Sequence, residues 1–417
     1  MPIHAFVSTW GGTAIGPLWL WKSWKEIVLA ILAVTTLAWV LSSGAARRAI
    51  LRDRLAQIIA SYTALVLLLA AVNLSHNGSA ATSAGLAMDL RYILAAFIAY
   101  VLFRFGQLDW KLISSRALMA LVVMGAALAV FAVLQVTVLP RDLLSHFGYE
   151  KHVTIAPFMT IDENPHALRA FATLRGPNEL GAFLILPLIA AFLYIKRTSW
   201  RIALWVLIAA GIVTSVSRSA WIGAVAAMLA VLALTYGGTI FRSKRFVYAA
   251  IAGAIAVALL IVSAVSVPAL RLAIFRSSPT DPSLTEGSTD QHFIATKSGV
   301  ERVAHNPLGC GPGCAGPASY YGSSAKISEN YYVQIAEELG VAGLILWLTI
   351  AYLVVKRLYE QKQDLLARTL LASFVGISLI GLLLHVWIDD PLSITWWGLA
   401  GATLGYYASA KVKKPVR

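Results

Sequence analysis

Glu329 stands between Ser328 and Asn330, directly before an apolar stretch that carries Gly340 and Gly343. A carboxylate at the lip of a membrane helix loses solvation, and its pKa is expected to rise toward the range that suits a general base. The same residues also read as a helix start, with Ser328 and Asn330 as capping types and Glu329 as an acid favoured by the helix dipole. Arg218, in Ser217-Arg218-Ser219, lies between two apolar runs with almost no loop. It either snorkels to the interface or holds an anion there, and an ionisable group in a membrane chain is a functional candidate by default. Arg175 precedes Pro177 and Asn178, a helix-start signal, with Arg169 six residues upstream. Guanidinium donors form a fixed fork that suits a diphosphate; the plainer reading pairs Arg175 with Glu179 or lipid headgroups.

His292 and His305 share a long polar stretch with Cys310 and Cys314. A lone loop histidine is more often structural than catalytic. The two cysteines either pair in an oxidising compartment or are two small residues in a Gly-rich turn. Pro307-Leu308-Gly309-Cys310-Gly311-Pro312-Gly313 reads as a tight turn whose backbone can approach a ligand closely. Asp389-Asp390-Pro391, just after His385 and Trp387, reads as an acidic outward turn or as no more than a solvated loop, and Trp396 and Trp397 read first as interfacial belt residues. No Cys or His cluster has zinc spacing and the acids are scattered, so neither metal nor other cofactor is expected.

The elements that position these groups are membrane helices. Of 417 residues, 59% are hydrophobic and 13% charged, where soluble domains have about 25% charged. Apolar runs of the length needed to cross a bilayer fall at 3–21, 24–43, 55–74, 90–105, 117–139, 179–195, 202–217, 219–236, 246–266, 338–355, 369–387 and 392–409. The first is the weakest, interrupted by Gly11, Gly12, Gly16 and Pro17. The reading is an all-α polytopic membrane protein of about twelve helices. Residues 1–266 hold the first nine, with an outward loop at 140–178; 267–330 form a large outward loop; 331–417 hold the last three and a tail. The first residues lack a basic n-region and a small-residue cleavage site, so the first helices are expected to direct insertion.

The net charge of +14 would point to nucleic acid in a soluble protein. Here no nucleic-acid partner is expected, because basic clusters recur at every second connection: Arg47/Arg48/Arg52/Arg54, Arg104/Lys111/Arg116, Lys196/Arg197/Arg201, Arg242/Lys244/Arg245, Lys356/Arg357/Lys362/Arg368 and Lys411/Lys413/Lys414/Arg417. By the positive-inside rule those connections are cytoplasmic, and twelve helices would place both termini there too. Most acids fall on or beside the other connections, so the working face is expected to be outward.

Three segments resemble the bacterial O-antigen polymerase/O-antigen ligase superfamily: Arg175-Gly176-Pro177-Asn178-Glu179-Leu180-Gly181; Ser217-Arg218-Ser219-Ala220-Trp221; and the 306–313 turn followed by Glu329-Asn330, nine residues, then Gly340-Val341-Ala342-Gly343. The ligase pattern has His where Glu329 stands. The resemblance implies a GT-C-like, outward-facing glycosyltransferase of the bacterial inner membrane. It would take a glycan from an undecaprenyl-diphosphate carrier to an acceptor hydroxyl, on another lipid-linked repeat in polymerases or on lipid A core in ligases. It implies membrane lipid and a chain-length regulator as partners. Arg218 would bind the diphosphate and Glu329 would deprotonate the acceptor. His292 stands where the family often has another Arg. Arg175, Arg169, Asn178, Asn330 and His305 would bind diphosphate or glycan. With Glu in place of His, polymerase is preferred to ligase. A transporter or lipid-glycan flippase is the competing class; no internal repeat is visible, and the apolar runs are nearly free of charge.

Overall fold

The computed structural model describes residues 2–106, 108–161, 164–240 and 288–413. Among them α2 (Leu18–Ser42), α4 (Arg54–Asn77), α5 (Ser79–Phe105), α6 (Trp110–Thr137), α7 (Pro177–Tyr194), α9 (Arg218–Ile240) and α11 (Tyr331–Glu360) are long and apolar enough to cross a membrane, α9 over Arg218–Gly237. α8 (Thr198–Thr214) and α12 (Leu365–Ile380) are shorter apolar helices beside them, and α13 (Asp390–Lys413) packs along α5. α1 (His4–Ala14) and α3 (Gly44–Leu51) are short, and α10 (Ser288–His305) is polar. The chain is an all-α polytopic membrane protein; a two-stranded hairpin, β1 (Met159–Ile161) with β2 (Asn164–Arg169), is the exception. The run at 246–266, the basic cluster at 242–245 and the loop segment 267–287 lie outside the described residues.

The first expected span is not one. α1 has 11 residues, a length of about 16 Å against a hydrocarbon core of about 30 Å. The Gly-Pro break after it turns the chain into α2, with Gly11 against Trp21 and Gly12 against Leu18. This corrects the expectation that both ends of the chain share one face. Thr173 Oγ1 donates to Pro2 O at 3.1 Å and His4 reaches Asp390 at 3.6 Å, at the Glu329 end of the bundle. Tyr407 meets Asp364 at the other end, near Asp53. The described basic clusters gather at that Asp53 end, beside the turns into α4, α6, α8 and α12.

α7 is the buried centre, with 13 of its 18 residues enclosed by neighbours that include α6, α8, α9 and α12. α13 approaches α5 through Gly401 and Gly405, where an added Cβ would fall 2.1 Å from Ala96 O and 2.3 Å from Tyr100 O. Small residues four apart admit close helix contact in a membrane. Trp396 and Trp397, expected in an interfacial belt, are wholly buried; Trp396 Nε1 donates to Leu370 O at 3.1 Å. α2 instead turns Ile31, Val34, Leu37 and Trp39 outward, as lipid contact requires.

The long polar stretch carries regular structure in its described residues, 288–330. Its described part holds α10 and a turn closed by a Cys310–Cys314 disulfide. That turn docks into a break in α11 at Gly340, whose φ of 68° suits glycine. Cys310 N donates to Glu337 O at 2.9 Å, Gly311 N to Glu338 O at 2.8 Å, and Val341 N to Pro307 O at 3.0 Å. The carbonyls freed by the break thus find donors, as backbone inside a membrane protein must. Spaced glycines in the turn and in α11 make one interlock.

Candidate active site

Most of the residues the sequence singled out lie at the Glu329 end, in three groups. The first is built on Asp390, the first residue of α13 and fully buried. Lys25 Nζ and Arg175 Nη2 each lie 2.9 Å from Asp390 Oδ2. Arg91 pairs with Asp390 and donates to Ile388 O. Glu26 touches both Lys25 at 2.9 Å and Arg91 at 3.4 Å. Three cations therefore face two carboxylates. Lys25 and Arg91 are buried, while the Arg175 side chain is 43% exposed. The acidic turn, read as an outward turn or a solvated loop, is a buried hub, and Arg175 pairs with Asp390. Burial, then the charges of Glu179 and Asp390, push the neighbouring Asp389 carboxyl up to about 7. Burial and the Lys25 charge push His4 down to about 3, so it meets Asp390 uncharged.

The second group surrounds the start of α9. Arg169 Nε donates to Ser215 O at 3.1 Å and its Nη2 to Asn178 Oδ1 at 3.0 Å. Asn178 is thus a support for Arg169. The Ser215–Arg218 turn packs on α7 at Gly181, where an added Cβ would lie 2.5 Å from Ala220 and 2.9 Å from Ser215 Oγ. Val216 in this turn has φ 49° and Ala172, before Arg175, has φ 51°. β-branched residues seldom enter the left-handed region.

The third group is Glu329 itself. It also holds a left-handed φ, 52°, between buried Ser328 and the cap residue Asn330. Its Oε2 lies 3.3 Å from His292 Nδ1 on α10 and 3.9 Å from His385 Nε2 after α12. Burial alone would raise this carboxyl; the His292 contact and the His385 and His292 charges outweigh it and hold the carboxyl below its usual value. The expected upward shift is therefore reversed, because histidines that cannot be seen as neighbours in the sequence surround it. Burial pushes His385 down. Both α9 and the Glu329 segment pack on the last turns of α12: Gly223 against Gly376 and Ile380, and Tyr331 N donating to Gly381 O at 2.9 Å.

Two expected residues do other work. Asn330 Oδ1 caps α11, accepting from Tyr332 N at 3.0 Å and Val333 N at 3.1 Å, while its Nδ2 donates to Leu382 O; its amide is committed to the fold. His305 lies 13 residues beyond His292 on α10, about 20 Å along the helix. It contacts Glu301 O and lines a separate cavity of about 460 Å³ with Arg302, Lys326 and Glu337. Glu337 and Glu338 on α11 are buried: Glu337 pairs with Arg302, and Glu338 accepts from Gly313 N at 2.7 Å. Lys25 and Arg91 were missed, and Asp390 and His385 were noticed without being given a role in a site. Charges within the apolar runs at 24–43 and 90–105 were the available signal, and they correct the view that those runs are nearly free of charge. Among the described residues no three His, Cys, Asp or Glu side chains gather as a metal site.

Residues 202–348 match the model of a family described as O-antigen ligase. This segment of the chain is similar to that family. It spans α8 to the middle of α11 and so contains Arg218, His292 and Glu329, and the resemblance to the O-antigen polymerase/ligase superfamily holds. A search of curated proteins gives no match.

Proposed function

We propose that the chain transfers a glycan from an undecaprenyl-diphosphate carrier to an acceptor hydroxyl at the periplasmic face of the bacterial inner membrane, polymerising surface-polysaccharide repeats. The observation that carries this reading is the convergence, at one end of the bundle, of a braced cation cluster with an exposed edge at Arg175 and a carboxylate held between two histidines. The first group matches a leaving diphosphate and the second an acceptor hydroxyl. The acceptor oxygen bonds to the anomeric carbon as the carbon–phosphate-oxygen bond breaks. The hydroxyl proton passes to the Glu329–histidine group, the diphosphate carrier leaves with the bonding pair, and the centre inverts. Stabilising the charge that develops on the leaving group usually contributes most to such catalysis. A cavity of about 330 Å³ lined by Trp205, Ile212, Trp221 and Met228 starts one turn below Arg218 and would take the first part of the prenyl chain.

The basic clusters at the Asp53 end make that end cytoplasmic. Ten described helices alternate between the two ends, and the apolar run at 246–266 would supply an eleventh crossing. The large loop precedes α11, residue 2 is periplasmic and residue 413 cytoplasmic. A chain-length regulator would act on the same face. The second reading is a ligase that delivers the glycan to lipid A core, favoured by the description of the matched family.

The test supplies purified lipid-linked repeat alone, then with core acceptor, and compares products. Polymer from the repeat alone supports the first reading, and product only with core supports the second. Arg218→Ala is expected to abolish transfer while the protein stays folded in the membrane. Transfer is expected to persist in excess chelator; strict dependence on a divalent ion would overturn the proposed scheme.

A further inference from the structure

α10 meets the Glu329 segment along one face. Thr296 Oγ1 donates to Ser328 O at 3.0 Å, and Arg302 pairs with Glu337. Between them a Cβ added to Gly299 would fall 2.7 Å from Val333 Cγ1 and 2.8 Å from Ser328 Cβ. Positions 292, 296, 299 and 302 recur at helical spacing, so the contacts that clamp α10 continue upward to His292. Its Nδ1 is buried, lies 3.3 Å from Glu329 Oε2 at ion-pair distance, and makes no hydrogen bond. The ring is nevertheless 33% exposed, and Nε2, unlike Nδ1, is not one of the buried atoms left without a partner. His385 differs: its side chain is 14% exposed, its Nε2 faces Glu329 and its Nδ1 is buried. It offers no open edge to a substrate.

We propose that His292 Nε2 takes the proton of the acceptor hydroxyl, that Glu329 orients the imidazole through Nδ1, and that His385 is the positioning residue that holds Glu329. This rests on the glycosyl-transfer reading. A carboxylate on one ring nitrogen fixes the tautomer that leaves the other nitrogen a lone pair, and it stabilises the imidazolium that forms. The hydroxyl proton moves to Nε2 while the oxygen bonds to the anomeric carbon, and the imidazolium releases that proton to water after the diphosphate has left. Contacts of this kind are often loose before substrate binds and tighten in the complex. The left-handed backbone at Glu329 fits the same role, since strain at a site persists where the surroundings demand one side-chain direction.

The experiment uses the full chain in nanodiscs with undecaprenyl-diphosphate-linked repeat unit as donor and acceptor. His292→Ala is expected to lower kcat by about 10²–10⁴-fold, the range of general-base contributions, with the donor KM unchanged. Imidazole in the buffer restores transfer to His292→Ala and not to Glu329→Gln. Gly299→Leu, which removes no ionisable group, forces α10 off Ser328 and Val333 and lowers kcat in the same way. Transfer by His292→Ala and His292→Gln within about threefold of wild type would overturn the assignment. So would rescue of Glu329→Gly by formate while His292→Ala stays fully active. Absence of transfer by the wild-type chain overturns the glycosyl-transfer reading itself and the assignment with it.

Discussion

The two ends of the bundle each bury a carboxylate among cations, and they do so differently. At one end Asp53 accepts from Tyr100 at 2.7 Å, from Arg104 at 3.1 Å and from Arg357 at 3.0 Å, and it also caps α4 through Leu55 N. Asp364 accepts from Trp110 and Tyr407 and caps α12. None of these side chains has a buried polar atom left without a partner. At the other end Glu26, Arg91, His292, Glu337, His385, Asp389 and Asp390 each keep such an atom. Among the described residues, the four non-glycine positions with left-handed φ, His152, Ala172, Val216 and Glu329, all belong there as well. Unmet hydrogen bonds and stored strain concentrate where function lives. The Asp53 end is a closed network, and the Glu329 end keeps unpaired buried polar atoms and left-handed backbone.

The strongest way to break this contrast is Asp390→Ala. It leaves Lys25 and Arg91 buried with only Glu26 of their two carboxylates and is expected to cost about 3–5 kcal/mol, as removal of one partner from a buried pair does. Folded yield in detergent and transfer both fall, with Asp390→Asn recovering part of the yield. Asp53→Asn is expected to cost about 3 kcal/mol by the same reasoning, read as a lower unfolding midpoint. Transfer by the folded fraction should remain at the wild-type rate, because Asp53 locks the far end. Loss of kcat in Asp53→Asn without loss of stability would erase the distinction between the ends.

Two carboxyls, Asp53 at one end and Asp389 at the other, are expected to respond to pH in opposite senses. Burial would raise the Asp53 carboxyl, but its Arg357 and Tyr100 hydrogen bonds outweigh that and hold it below its usual value. A lowered folded pKa gives stability that is present above the unfolded value and lost as pH falls through the folded one. Asp389 is pushed from 3.8 up to about 7. Its folded form keeps a proton that the unfolded chain releases, so stability present below the unfolded value is lost as pH rises through about 7. Asp389→Asn should therefore flatten the loss between the acid range and neutrality, and Asp53→Asn should flatten only the acid limb. Unfolding midpoints against pH check both. An unchanged neutral limb in Asp389→Asn would remove Asp389 as its source.

The same contrast explains what the sequence showed. Membrane helices were legible because apolar length is a local property, and the basic clusters were legible because they sit in short connections. The break of the first run was written in Gly16-Pro17, but α1's return to the Glu329 end depends on Asp390, almost four hundred residues away. Glu329, Arg175 and Arg218 were picked out as candidates by chemical type and by order along the chain. The histidines beside Glu329 were not legible as partners, because α10 and the end of α12 meet it only through tertiary packing. For the same reason the Glu329 shift was expected in the wrong direction: burial can be guessed from an apolar run, whereas a counter-charge from another helix cannot. Asn330 was offered to substrate, yet its capping type already named the role it plays.

The smallest expected effect isolates strain from chemistry. Val216 holds φ 49° two residues before Arg218, a region that costs L-residues about 1–2 kcal/mol and suits β-branched side chains least. Glycine there removes the steric cost but adds about 0.4–1 kcal/mol of unfolded-chain freedom. Val216→Gly should then be neutral or stabilising by about 1 kcal/mol, seen as an unchanged or higher unfolding midpoint. Transfer should nonetheless fall, because the turn that starts α9 is no longer held to one path and Arg218 loses its fixed direction. The parallel substitution at the Asp53 end, where no left-handed non-glycine residue is found among the described residues, has no strain to release: Arg52→Gly, φ −88°, should lower stability and leave kcat unchanged. If Val216→Gly lowers the midpoint as well, the backbone there is ordinary structure, and strain no longer separates the working end from the locked one.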